Sequence, residues 1–70
     1  MADHELHPVI GELRAVRRAW KLSQTELGYK SGIGRTFISM VENGHVRASF
    51  VNVVQWADTL GYEIVLKPKF

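Results

Sequence analysis

Apolar residues return every three or four positions through most of this 70-residue chain, and the spacing changes once, near its C-terminal end. Val9, Ile10, Leu13, Val16, Arg17 and Trp20 fall on one face at helical spacing. Pro8 suits a helix's first turn, where its missing N–H costs nothing. The pattern predicts a first helix over residues 8–21, with Arg14, Arg18 and Lys21 outside and Trp20 in the core. Ser23-Gln-Thr-Glu26 is a capping box that opens a second helix over 24–31, which buries Leu27 and stops at Gly32. Ile33 plugs the turn. Gly34 is an acceptable N-cap for a third helix over 35–43, which turns Ile38 and Val41 inward before Gly44 closes it. Ser49 caps a fourth helix over 50–60, with Phe50, Val53, Val54, Ala57 and Leu60 on one stripe and Gly61 at its end.

Beyond Gly61 the period shortens to two. Tyr62-Glu-Ile-Val-Leu-Lys67 alternates and is β-branched, and Pro68 stops it, which predicts a strand. A single strand cannot satisfy its own backbone groups, and no other segment looks like a partner. The simplest remedy is the same strand of a second copy, paired antiparallel about a two-fold axis. Tyr62, Ile64, Val65 and Leu66 are then the expected dimerisation residues, with Trp56, beside the helix-4 stripe, packing on the strand or the partner copy. The chain divides into a polar tail (1–7), a helical domain (8–61) and a C-terminal dimerisation strand (62–70).

Length and composition narrow the picture. Seventy residues make one domain with a marginal core that oligomerisation would help, and a 46% hydrophobic content is that of an ordinary globular protein. The absence of cysteine excludes disulfides, thiolate chemistry and cysteine-based zinc sites, and fits a reducing cytoplasm. The N-terminus lacks a signal-peptide pattern and no apolar run reaches membrane-spanning length, so a cytoplasmic protein without a membrane partner is expected. His4 and His7 have i, i+3 spacing, but with no ligand cluster around them no metal is expected, and no cofactor. Asp58 and Glu63 make no acid–base pair, and no nucleophile–base arrangement appears, so the chain does not read as an enzyme.

Charge changes the picture more. Asp3, Glu5 and Glu12 make the first twelve residues acidic, whereas residues 13–47 carry seven basic side chains (Arg14, Arg17, Arg18, Lys21, Lys30, Arg35, Arg47) against Glu26 and Glu42. The positive charge therefore concentrates on helices 1–3, as a phosphate-facing surface requires. Arg17 lies on the inner stripe and either snorkels or pairs with Glu42 at the junction of helices 1 and 3. Two short helices joined by a tight turn, with an apolar inner face and small or polar outward residues, suit insertion of the second helix into the DNA major groove. The outward residues of helix 3 are Arg35, Thr36, Ser39, Met40 and Asn43, with Phe37 at the edge.

The stretch LSQTEL…SGIGRTFISMVENG closely resembles the lambda-repressor-like (XRE-type) helix-turn-helix family over about residues 10–61. The resemblance implies a mostly α, four-to-five-helix DNA-binding domain that acts as a homodimer on a palindromic operator of double-stranded DNA, as a repressor. It also implies that Gln24 holds a phosphate, in keeping with the free N–H groups of a helix N-terminus. Arg35 is the leading base reader, since guanidinium can bond guanine O6 and N7 together. Thr36 reaches a base or a phosphate, and Met40 offers a contact for a thymine methyl. Phe37 either packs on helix 2 or touches a thymine methyl. Ser39, Asn43 and Arg47 are expected on phosphates, with Arg18 helping. The chain departs from the family at Gly28, where alanine is usual, and at Gly34, where serine or threonine is usual. The C-terminal strand resembles that of HipB-type antitoxins, which implies a toxin protein as a further partner. A stand-alone phage or plasmid repressor, a restriction-modification controller, and a protein-interaction module without DNA binding are the alternatives.

Overall fold

Pro8 opens α1 (Pro8–Ala19), and His7 before it caps the helix, its Nδ1 accepting from the Val9 N–H at 3.1 Å. These assignments come from a computed structural model that describes residues 7–70; most of the polar tail, and with it the His4 half of the His4/His7 pair, lies outside the described residues. α1 stops two residues short of the expected end because Lys21 adopts a left-handed φ of 58°. The Leu22 N–H then donates to the Arg17 carbonyl and the Lys21 N–H to that of Arg18, the paired bonds of a Schellman turn. This early reversal corrects the placement of Trp20, which is 53% exposed and lies against the backbone at Gly61, not in the core.

α2 (Gln24–Ser31) starts on the expected capping box, with Ser23 Oγ accepting from the Glu26 N–H at 3.0 Å and Glu26 Oε1 from the Ser23 N–H at 2.9 Å. Gly32, at φ 75°, ends it. The turn is fastened from inside. Buried Ser31 accepts from the Ile33 N–H at 3.1 Å, and the Gln55 side-chain amide donates to the Ser31 carbonyl. α3 (Arg35–Glu42) follows Gly34 and closes on Gly44, with His45 N–H bonded to the Met40 carbonyl. α4 (Phe50–Thr59) is capped by Ser49.

α2 packs on α3 and α4, and α1 packs on the same two helices. Leu27, Ile33, Ile38 and Val41 form the shared core with Ile10, Leu13, Trp56, Ala57 and Leu60. α4 is rotated from the expected orientation. Trp56 is fully buried while Phe50 is 70% exposed and Val54 is also exposed, so the inner stripe runs Val53, Trp56, Ala57, Leu60. Trp56 is thus a core residue and not a dimerisation contact. Its indole Nε1 has no hydrogen-bond partner among the described residues, a polar cost borne for the volume the ring fills.

The C-terminal strand is not formed. Among the described residues the chain is four helices and no strand, a small all-α domain, and residues 62–70 run exposed without regular structure. Alternation of side chains makes a strand only where another strand supplies ladder hydrogen bonds, and the four-helix body offers none. Tyr62, Ile64, Val65 and Leu66 therefore do not form the expected pairing strand; Leu66 is wholly exposed.

Candidate nucleic-acid interface

The face of α3 is set by what its opposite face must bury. Ile38 and Val41 enter the core, and Glu42 beside them is 2% exposed. Eight residues make a rod about 12 Å long, matched to a major groove about 12 Å wide. With 38, 41 and 42 inward, helical geometry turns 36, 39, 40 and 43 outward, while 35 shares the side of 38 and 42 but stands at the open first turn of the helix.

The structure follows that geometry. Arg35, Thr36, Met40 and Asn43 are exposed, and Ser39 is half-buried. The Arg35 guanidinium forms no hydrogen bond or ion pair with any described residue. Asn43 Nδ2 lies 3.4 Å from Ser39 Oγ, a long contact that leaves both groups able to meet other partners. Phe37 is half-buried and packed against the core, which favours the packing alternative over base contact. Arg47 is exposed in the loop between α3 and α4, and Arg18 is exposed on α1.

Behind this face sits a charged lock. Arg17 Nε donates to Glu42 Oε2 and Nη2 to Oε1, each at 2.8 Å, while Nη1 donates to the Leu22 carbonyl at 2.7 Å. The pair considered from the sequence is therefore formed, and it is buried. Two further members were not legible in the pattern. Arg14 Nη1 donates to the Glu42 backbone carbonyl at 3.0 Å, placing a cation at the negative end of α3. Gln24 Nε2 donates to Glu42 Oε1 at 3.2 Å. The expected phosphate-holding residue is thus half-buried and engaged inside the protein, leaving its other amide atoms for an outside partner. A run of basic residues on α1 is the one sequence signal that pointed towards Arg14; nothing at Gln24 marked this contact.

Among the described residues no helix is long and apolar enough to cross a membrane.

Known proteins are similar to this chain in sequence and fold. The chain is 43% identical over 58 residues to y4dL of Sinorhizobium fredii, an uncharacterized HTH-type transcriptional regulator. That alignment takes in 83% of this chain, which spans 30% of the relative's length. It is also similar to the restriction-modification controller protein C.AhdI from Aeromonas hydrophila, with a TM-score of 0.73 and 36% identity over 79% of this chain and 83% of the other. The helix-turn-helix pattern (HTH_3) matches residues 13–66, taking in the Arg17–Glu42 lock, the Gly32 turn and the outward face of α3. With a helix-turn-helix match over residues 13–66, the chain belongs to the helix-turn-helix family.

Proposed function

We propose that this chain binds double-stranded DNA as a homodimer, with α3 in the major groove, and regulates transcription from a palindromic operator. One observation carries the reading: α3 is fixed from behind by buried charge and apolar packing, while Arg35, Thr36 and Met40 stand free on its outer face. A rigid rod with unpaired hydrogen-bonding groups is what base readout needs. Arg35 reads guanine, Thr36 a base or phosphate, and Met40 a thymine methyl. Ser39, Asn43, Arg47, Arg18 and the second Nε2–H of Gln24 hold phosphates.

A second copy is supported by surface chemistry and not by a strand. Phe50, Val51 and Val54 on the outer face of α4, with Tyr62 and Ile64 beside them, expose a run of apolar side chains that water solvates poorly. Covering it with the same face of another copy is self-complementary, and binding successive major grooves requires the two α3 helices of such a dimer to stand about 34 Å apart. The likeness to C.AhdI favours a controller of a restriction-modification system among the regulatory roles. The toxin-partner reading rested on the C-terminal strand and loses its support with it.

Selection of bound fragments from random DNA gives the operator; gel shifts with Arg35→Ala then test the reading. The substitution is expected to cost about 1–3 kcal/mol on the selected site and little on unrelated DNA. Affinity is expected to fall steeply with added salt, as counterion release requires. Unchanged specific affinity in a folded Arg35→Ala protein removes α3 from the interface. A panel with no binding at low salt leaves a protein-interaction module instead.

A further inference from the structure

A cavity of about 700 Å³ opens between the start of α1, the loop after α3 and the start of α4. Its size falls in the range of small-molecule sites, about 300–1,000 Å³. Val46, Phe50, Val53 and Ile64 supply apolar walls, and Val41 and Gly44 bring it up to the C-terminal end of α3. Among the described residues that line it, Arg47 alone carries a formal charge at neutral pH, and no carboxylate joins them. His7 also lines it. Because His7 Nδ1 accepts from the Val9 N–H, its proton resides on Nε2, which is a donor. An apolar chamber with a guanidinium, an imidazole N–H and no acid among the described residues is complementary to one class of guest.

We propose that this cavity is an effector site for a small organic anion with an apolar body, such as a medium-chain or aromatic carboxylate. The body fills the space between Val46, Phe50 and Val53, and the head group pairs with Arg47. The regulatory consequence rests on the DNA-binding reading above, in which Arg47 holds a phosphate. One guanidinium cannot neutralise both anions fully, so an occupied cavity weakens the DNA complex. The walls at Val41 and Gly44 give the guest a second handle, on the end of the helix that enters the groove.

The test uses octanoate as the probe, with octylamine as its cationic counterpart, in amide-resolved NMR titrations of the full chain without DNA. Octanoate is expected to shift the amides of Val46, Arg47, Val53 and Ile64 with a Kd at or below about 1 mM. Octylamine is expected to bind far more weakly. Arg47→Ala is expected to weaken octanoate about tenfold, the loss of one charge-assisted contact. Val46→Trp, which fills the chamber, is expected to abolish the shifts; where that variant fails to fold, exposed Arg47→Ala carries the test. Shifts confined to Val51 and Val54, equal binding of octylamine, or no saturation overturns the site. Octanoate is further expected to lower operator affinity of the wild-type chain, and unchanged affinity overturns the effector role. Because the titration contains no DNA, its failure leaves DNA binding standing, while absence of any DNA complex leaves the octanoate shifts intact.

Discussion

Arg17 and Glu42, 25 residues apart in sequence, meet through two hydrogen bonds of 2.8 Å inside the junction of α1 and α3. Arg17 Nη1 fixes the chain at the Leu22 carbonyl as it leaves α1, and Glu42 takes a third bond from Gln24 at the start of α2. Three helices are thereby referenced to one carboxylate on the last turn of α3. A fork-to-fork pair has little angular freedom, so the outward face of α3 inherits a fixed orientation.

Removing one partner of this pair leaves the other charged and dry. Arg17→Ala or Glu42→Ala is expected to cost about 3–5 kcal/mol, a large share of the 5–15 kcal/mol that stabilises small domains. The double variant Arg17→Met/Glu42→Leu is expected to recover most of that loss, since neither charge is then stranded. Urea unfolding of the two single variants and the double closes a cycle that reads the coupling. Single-variant costs below about 1 kcal/mol would mean that water reaches the pair.

The helices, and their ends apart from the C-terminus of α1, were legible because each such boundary has a local chemical cause: Pro8, the Ser23–Glu26 box, Gly32, Gly44, Ser49 and Gly61. The outward face of α3 was legible too, since Ile38 and Val41 leave it only one orientation. Three features were hidden for different reasons. α4 is apolar on nearly every side, so periodicity admits both the Phe50–Val54 stripe and the Val53–Trp56 stripe, and only packing against α1 and α2 chooses. Trp20 left the core because a lysine takes the left-handed turn that glycine usually marks. The strand failed because alternation signals a pleat without supplying a neighbour to pair with. Gln24 and Arg14 were assigned by exposure and charge, whereas their contacts with Glu42 depend on tertiary geometry that no spacing encodes.

Lys21 is the one non-glycine residue with a positive φ among the described residues. Its Cβ crowds the backbone there in a way glycine avoids. Lys21→Gly is expected to stabilise the domain by about 0.5–1 kcal/mol, raising Tm by several degrees in a domain this small. Gly61→Ala is the converse control. Gly61 has φ 82° with Trp20 at an ordinary 3.5 Å from the added methyl, so the expected loss comes from the backbone alone. Calorimetry of both variants gives the two signs.

Gly28 and Gly34, the two departures from the resembling family, differ in the space around them. A Cβ at Gly28 would stand 3.0 Å from the Ile33 carbonyl oxygen, in the turn that joins α2 to α3. Alanine gains helix propensity of about 1 kcal/mol there but must push that carbonyl back, so Gly28→Ala is expected to gain well under the full amount. Gly28→Val, with no small-methyl escape, is expected to destabilise by about 1–3 kcal/mol. A Cβ added at Gly34 would meet nothing within 4 Å among the described residues beyond its chain neighbours, and α3 has no side-chain cap. Gly34→Ser is expected to add a few tenths of a kcal/mol by capping the free N–H groups. Thermal melts that rank Gly34→Ser above wild type and Gly28→Val below it check both.

The Glu26 carboxyl is held below its ordinary value of 4.5, first by the Ser23 backbone N–H, then by the Ser23 side chain, with Lys30 adding a smaller attraction. Because the folded value is depressed, the ionised box stabilises α2 at any pH above the ordinary carboxylate value. That contribution falls away as pH drops through the lower, folded value, where the carboxylate finally protonates. Glu26→Gln keeps a group able to accept from the Ser23 N–H but carries no charge. It is expected to be slightly less stable than wild type at neutral pH, with the difference shrinking as pH falls below the ordinary carboxylate value of 4.5. Urea midpoints of the two proteins measured across that range test it. A gap that stays constant with pH would show that the Ser23 N–H does not discriminate the carboxylate from its neutral form.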